Sequence, residues 1–404
     1  MPNTLPTTWD LIRSGLTATP QVTGHRSWRR WFLTLGILLV LLPLGWFHRV
    51  CLALDHWLFP GFQRVELDRP LFIVGPPRSG TTYLHRLVAK DSRFTTFYLW
   101  ELLLAPAVCQ KRFWLTLDWL DSWVGHPAQR LLGLIEKLAF AGMDDIHPTS
   151  LMDAEEDYFG LLPIHACFLL IVLFPDCPKL WDLARFDQVQ SPETKKRVMD
   201  FYRGLLQRHL YVRGVERILV SKNPSFCGML ESLYSSFPTA RFALPIRTPE
   251  ETLPSLLSSM EGGPKSLGYS VKTIEPKLIE MMQGYYQHIV DHLDDLQDRA
   301  AVVPYRSLVD EPQETLDSLF DQLNYGPVEA VPPQKATRNQ TSKEYRSRHR
   351  YTLEQFGLDA LTLQTEYAWL FNDPRLGLNE RTTPHTTSPP APEPSSAPGV
   401  QSSC

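Results

Sequence analysis

The chain has 404 residues, 43% hydrophobic and 21% charged, enough to bury one substantial core with an accessory or membrane segment beside it. Its 40 Lys and Arg against 44 Asp and Glu leave a net charge of -4, which excludes a globally basic coat for nucleic acid. The six cysteines, at 51, 109, 167, 177, 227 and 404, make no C-x-x-C or Cys/His ligand spacing, so neither a metal site nor a disulfide framework is expected.

Residues 1–24 are polar and without period, and are expected to form a mobile or loosely docked tail. Arg26, Arg29 and Arg30 then precede the uncharged run from Trp31 to Phe47. At about 17 residues this run lies at the lower edge for spanning a bilayer core of roughly 30 Å. Trp31, Trp46 and Phe47 stand at its ends as interfacial aromatics do, and Pro43 and Gly45 are points where it can bend. Three readings stay open: a single span with the basic N-terminus inside, a bent monotopic segment in one leaflet, or a long buried core helix. The stretch from Cys51 to Phe62 is amphipathic and suits the same surface, so residues 25–62 are taken together as a membrane-associating segment.

Leu71 to Val74 has the length and composition of a buried strand, and Gly75-Pro76-Pro77 must stop it. Arg78-Ser79-Gly80-Thr81-Thr82 comes next, where a helix begins, and there unpaired amides and the positive dipole end favour an anion. A triphosphatase loop ends G-K-[ST], with Lys on the phosphates and a hydroxyl on magnesium; this loop ends Gly-Thr-Thr and has no Lys at that point. Tyr83 to Ala89 continues as helix, and Arg93 to Leu99 reads as a second strand that delivers Trp100-Glu101 beside the first loop. Residues 102–142 read mainly as helices. Asp144-Asp145-Ile146-His147-Pro148 and the acidic run 153–157 come next, then an apolar stretch, Ile164 to Phe174, expected to be one buried helix.

After a helical region at 191–214, Arg217 to Ser221 reads as a core strand that empties into Lys222-Asn223-Pro224. A helix over 226–237 and a strand over 240–246 come after it, the strand ending at Arg247. Thr248 is placed as N-cap and Pro249 at the first helical position of a helix that carries Ser255. A helix at 277–297, a strand at 301–305 and an acidic helix at 311–323 complete the alternation of a parallel α/β sheet. Residues 335–352 carry a local basic belt, and from about Asn379 the Pro/Ser/Thr-rich text has too few apolar residues to order.

The P-R-S-G-T-T stretch resembles the 5′-phosphosulfate loop of the sulfotransferase superfamily. The Arg247 to Ser255 spacing is similar to that family's 3′-phosphate-binding element, and Trp100-Glu101, Lys222-Asn223-Pro224 and Tyr305-Arg306-Ser307 also match its bacterial-type members. The resemblance covers roughly residues 66–325. It implies a P-loop NTPase-like parallel sheet flanked by helices, in a catalytic domain taken here as 66–375, and 3′-phosphoadenosine-5′-phosphosulfate (PAPS) as co-substrate. Pro77, Arg78, Ser79, Gly80, Thr81 and Thr82 would hold the 5′-phosphate and sulfate, and Arg247 and Ser255 the 3′-phosphate. Arg78 and Lys222 would stabilise charge on the leaving phosphate, with no magnesium needed.

A base must take the acceptor's proton. Glu101 is the first candidate, His147 the second, with Glu155 and Glu156 behind them. The acceptor is expected to be a small molecule, a lipid or a glycan, the domain membrane-associated on the cytoplasmic face, and nucleic acid no partner. The competing reading is a P-loop nucleotide-binding protein or kinase-like enzyme that uses another nucleotide.

Overall fold

The structure, a computed structural model, describes residues 4–16, 28–126, 154–267, 269–328 and 353–378. His147, the basic belt at 335–352 and the tail from 379 lie outside these residues. Five parallel strands form one sheet: β1 (Leu71–Ile73), β2 (Phe94–Thr95), β3 (Ile218–Lys222), β4 (Arg241–Ile246) and β5 (Ala300–Pro304), in the spatial order β2-β3-β1-β4-β5. β1 is central, with Ile73 opposite Lys222 on one side and Ala243 on the other.

Alternation along the strands divides the core between two faces of the sheet. Phe72, Phe242, Leu244 and Ile246 join one apolar cluster with the helices Pro192–Arg213 and Glu275–Leu296. Leu71, Ile73, Ala243 and Val303 join the other, against Leu84 and Val88 of helix Thr81–Val88 and Leu316 and Phe320 of helix Pro312–Gln322. The strand-and-helix reading of residues 71–88 and 217–322 is thus the observed alternation, and the fold is the expected α/β one.

Four expectations are corrected. The second strand is only two residues long, and the chain turns directly into helix Leu99–Leu104, so Glu101 sits on a helix and not at a strand end. β2 is also the edge strand, separated from β1 by β3, so it does not adjoin the strand that carries the first loop. The apolar stretch Ile164 to Phe174 is no single helix. A 3-10 helix, Asp157–Ile164, ends at His165 in a left-handed conformation (φ 58°), and a short helix resumes at Leu170–Leu173. Within the supposed loose tail, helix Thr8–Leu16 buries Leu11 against the core, and Leu5 just before it is buried too.

The apolar segment is one helix of 31 residues, Trp28–Leu58, which absorbs most of the stretch read as a second amphipathic piece. Its Thr34–Leu58 part is long and apolar enough to cross a membrane, and 22% of its most apolar window is buried. One side faces the domain. Asp55 there is fully buried, pairs with Arg208 (Nε to Oδ2 2.9 Å) and accepts from the amides of Val108 and Cys109 at the start of helix Val108–Trp123. His48 bonds the Leu103 carbonyl and Arg49 the Pro163 carbonyl from the same helix.

Candidate active site

Every strand of a parallel sheet points its carboxyl end the same way, and ligands bind outside those ends. The turn after β1, Lys222 at the end of β3, Arg247 after β4 and Tyr305 after β5 are therefore neighbours, although they lie as far as about 230 residues apart in sequence. At Gly75 a Cβ would come within 2.4 Å of the Pro245 carbonyl oxygen, so the turn closes against β4 only without a side chain. Gly80 has φ 96°, and a Cβ there would lie 2.8 Å from the Tyr305 ring. Both glycines serve close approach rather than flexibility.

Arg78 takes the same left-handed conformation, φ 70°, without being glycine. Two contacts hold it: its Nε donates to Ser255 Oγ (2.9 Å), and Arg247 Nη1 donates to its carbonyl oxygen (3.4 Å). Arg247 also pairs with Glu251 (3.2 Å), and its guanidinium stacks 4.1 Å from the centre of the Tyr305 ring. Ser79 is fully buried and its Oγ has no hydrogen-bond partner among the described residues, an orphaned polar atom in a loop that opens a helix. Such a group calls for a ligand acceptor or donor.

Lys222 reaches across from β3. Its Nζ lies 3.4 Å from Thr82 Oγ1 and pairs with Glu156 Oε1 at 2.9 Å. The segment that carries Glu156 is held at Ala154, which bridges Tyr98, and at Asp157, buried and bonded to the Tyr202 hydroxyl. Tyr202 bonds Ser221 in turn, at 3.0 Å. Burial pushes the Asp157 carboxyl up to about 7, against the opposing pull of Tyr202, Ser221 and Lys222. Asn223 caps the next turn through Ser225, and its buried amide nitrogen has no partner among the described residues.

Glu101 stands apart from this group. It is 0% exposed and ringed by Lys111 (3.4 Å), Arg213 (3.1 Å) and His209 (3.7 Å), while also accepting from the Tyr98 amide. Burial alone would raise its pKa, yet the surrounding cations and the amide hold it down to about 2. Burial drives His209 far below the usual imidazole range, so it contributes as a neutral ring, and the charge is balanced by Lys111 and Arg213. The loop, Lys222, Arg247 and Ser255 are brought together; Glu101 is not among them, and His147 lies outside the described residues. Tyr305 was missed as a site residue in the sequence, although the strand-end rule that singled out Lys222 and Arg247 applies to it after β5.

The sequence profile of the sulfotransferase family matches residues 178–328, a stretch that holds Lys222, Arg247 and Ser255. Over that stretch the chain is similar to sulfotransferases. Two curated relatives, from Mycobacterium bovis and Mycobacterium tuberculosis, are named omega-hydroxy-beta-dihydromenaquinone-9 sulfotransferase Stf3. Each is 24% identical over 279 residues, 67% of this chain and 66% of the relative, so the match spans just under two thirds of those proteins. Among solved structures, the sulfotransferase STF9 from Mycobacterium avium aligns with a TM-score of 0.68 at 17% identity, covering 91% of both chains. STF1 from Mycobacterium tuberculosis H37Rv aligns at 0.66 and 18%, covering 90% of this chain and 91% of its own. At such identities these sulfotransferase structures establish the fold, and the alignments reach well beyond the stretch matched by the family profile.

Proposed function

We propose that this chain transfers the sulfuryl group of PAPS to a hydroxyl or amine of a lipid-like acceptor at a membrane surface. The observation that carries the reading is the 2.9 Å contact between Arg78 and Ser255. It ties the loop after β1 to the helix after β4 and gathers two guanidinium groups on one side of the sheet's carboxyl end. A donor phosphorylated at both its 5′ and 3′ positions matches such a two-ended clamp, because charge-assisted bonds to phosphate need fixed, paired cations. The orphaned Ser79 hydroxyl and the glycines that admit no Cβ fit a phosphosulfate drawn close to the backbone.

In this reading the loop from Pro77 to Thr82 holds the 5′-phosphate and sulfate, and Arg247, braced by Tyr305, holds the 3′-phosphate with Ser255. The bound donor supplies an electrophilic sulfur whose bond to the 5′-phosphate breaks as the acceptor's oxygen bonds to it. Arg78 and Lys222 offset the negative charge that collects on the leaving phosphate. Glu156 replaces Glu101 as the base. It lies beside Lys222 and Thr82, whereas a buried carboxylate held near pKa 2 by its cations is a weak proton acceptor. The acceptor proton passes to the Glu156 carboxylate, and the 3′,5′-bisphosphate departs.

Membrane attachment is supported by the outer side of helix Trp28–Leu58, where Phe32, Leu39, Trp46, Leu54 and Trp57 are exposed, Trp57 at 86%. Helix Val108–Trp123 packs beside it and exposes Phe113, Trp114, Trp119 and Trp123. With one side committed to the domain through Asp55 and His48, the long helix suits an in-plane position better than a span, which needs lipid all around it. In-plane attachment also lets the domain stay on the cytoplasmic face without a crossing. The curated relatives' name specifies an omega-hydroxylated dihydromenaquinone, and a lipid-like alcohol is the acceptor class that suits this surface.

Titration calorimetry without magnesium tests the donor. Adenosine 3′,5′-bisphosphate is expected to bind, and Arg247→Ala to weaken that binding about tenfold or more, the loss of a charge-assisted hydrogen bond. Magnesium-dependent binding of ATP, with none of the bisphosphate, would overturn the reading in favour of a kinase-like nucleotide site.

A further inference from the structure

A cavity of about 250 Å³ lies under the long helix, bounded by Leu38, Leu41 and Leu42 of that helix, Leu102 of helix Leu99–Leu104, Leu162, and Phe174. It is larger than the about 150 Å³ of a dry apolar cavity that admits benzene. Its wall contains three ionisable side chains, and each is turned to a protein partner. His48 bonds Gln110 and the Leu103 carbonyl, Arg49 Nε the Pro163 carbonyl at 2.6 Å, and His165 Nδ1 the Pro6 carbonyl at 3.1 Å. The surface left for an occupant is mostly leucine, phenylalanine and proline. Trp46 belongs both to this wall and to the exposed apolar side of the helix, where it is 67% exposed, so the cavity borders the surface assigned to lipid.

We infer that this cavity receives the hydrocarbon chain of the acceptor, with the acceptor's reactive end at Glu156 and Lys222. The inference rests on the sulfotransferase reading and adds the place and length of the acceptor. Two elements run side by side from the candidate active site to the cavity. At one end Tyr98 bridges Ala154, two residues before Glu156; at the other, Leu102 and Leu103 line the cavity together with Leu162 and Pro163. Between those ends lies the 3-10 helix Asp157–Ile164, whose eight residues span about 16 Å at roughly 2.0 Å each. An acceptor that touches both ends is therefore a long-chain amphiphile; a short alcohol reaches only one. Its chain enters past Trp46 from the bilayer, and the apolar wall sets the preference for carbon over polar atoms.

Gly45 gives a clean way to fill the space. It lines the cavity, lies inside a helix, and a Cβ built on it meets nothing within 4 Å. The test uses the full chain in detergent micelles with hexadecanol carrying a diazirine near the chain end, photolysed and mapped by peptide mass spectrometry. Labels are expected on residues 38–49 and 162–174, with labelling of 162–174 about tenfold lower in Gly45→Phe and retained in Gly45→Ala; a diazirine butanol should not label this site. Labels confined to the exposed sides of the two surface helices, or labelling unchanged in Gly45→Phe, would overturn the assignment. Bisphosphate binding, titrated on the same samples, reports an intact donor site in each variant. If the bisphosphate binds and the cavity stays unlabelled, this assignment alone falls; if the cavity labels and no bisphosphate binds, the donor reading falls instead.

Discussion

Glu101 and Glu156 are both carboxylates paired with cations, but Glu101 lies on helix Leu99–Leu104 in a closed ion cluster while Glu156 pairs with Lys222 at the end of β3. Glu101 offsets the fully buried Lys111 and the partly exposed Arg213, so Glu101→Gln leaves the buried Lys111 without its counter-ion and is expected to cost roughly 3–5 kcal/mol of stability. Urea unfolding reads that loss, and turnover per folded molecule should stay near wild type. Glu156→Gln should do the reverse, lowering kcat about a hundredfold or more while bisphosphate affinity holds. Full turnover in Glu156→Gln would remove it as base. Asp157 next to it makes a second, pH-dependent prediction. Its carboxyl, raised by burial to about 7, keeps its proton in the folded state while the unfolded chain loses it near pH 4, about the ordinary value. Below pH 4 both states are protonated and nothing is lost. Between pH 4 and 7 the unfolded state is favoured increasingly, by up to about 1.4 kcal/mol per unit, and the penalty is complete above 7. Asp157→Asn has no such proton to lose, so its stability relative to wild type should rise across that window in unfolding titrations. A constant difference would mean that Asp157 is ionised throughout.

At the scale of elements, the site depends on three loops that leave adjacent strands, and on the spacing between the first loop and β5. Gly80 is constrained twice, with both a left-handed backbone and the Tyr305 ring in the way of any side chain. Gly80→Ala is expected to cost about 1–3 kcal/mol and to displace Tyr305 from beneath Arg247. Thermal unfolding together with bisphosphate titration checks both effects; an unchanged melting temperature would show that the loop can relax. The sheet order also accounts for where the residues after the second strand lie. With β3 between β2 and β1, the chain leaving β2 packs as helix Leu99–Leu104 at the side of the sheet, and its polar residue is absorbed into a structural ion cluster.

The whole molecule joins a soluble-type α/β core to an apolar outer face made by two helices. Asp55 is the join: one carboxylate pairs Arg208 of the core helix and caps helix Val108–Trp123, fixing both surface helices to the domain. If that face lies on a bilayer, replacing Trp46 and Trp57 together by Ser should reduce co-sedimentation with phospholipid vesicles several-fold without changing bisphosphate affinity, because interfacial aromatics carry such attachment. Vesicle binding equal to wild type would exclude this face as the attachment surface.

The parts of this protein that could be read from its sequence were those written locally. A short apolar run that gives way to Gly, Pro and a cation marks a strand end, so β1, β3 and β4 and the positions of Arg78, Lys222 and Arg247 were legible, as was the helix bearing Ser255, which starts after Thr248 at Pro249 although Thr248 makes no capping hydrogen bond. Long-range pairing decided the rest. No local pattern tells that β2 takes the edge, that Glu101 meets Arg213, or that Glu156 crosses to Lys222 from 66 residues away. The apolar run after Trp31 shows the same division. Composition made it a helix, but whether lipid surrounds it or the domain covers one side depends on what Asp55 and His48 find to bond, and those partners exist only once the chain has folded.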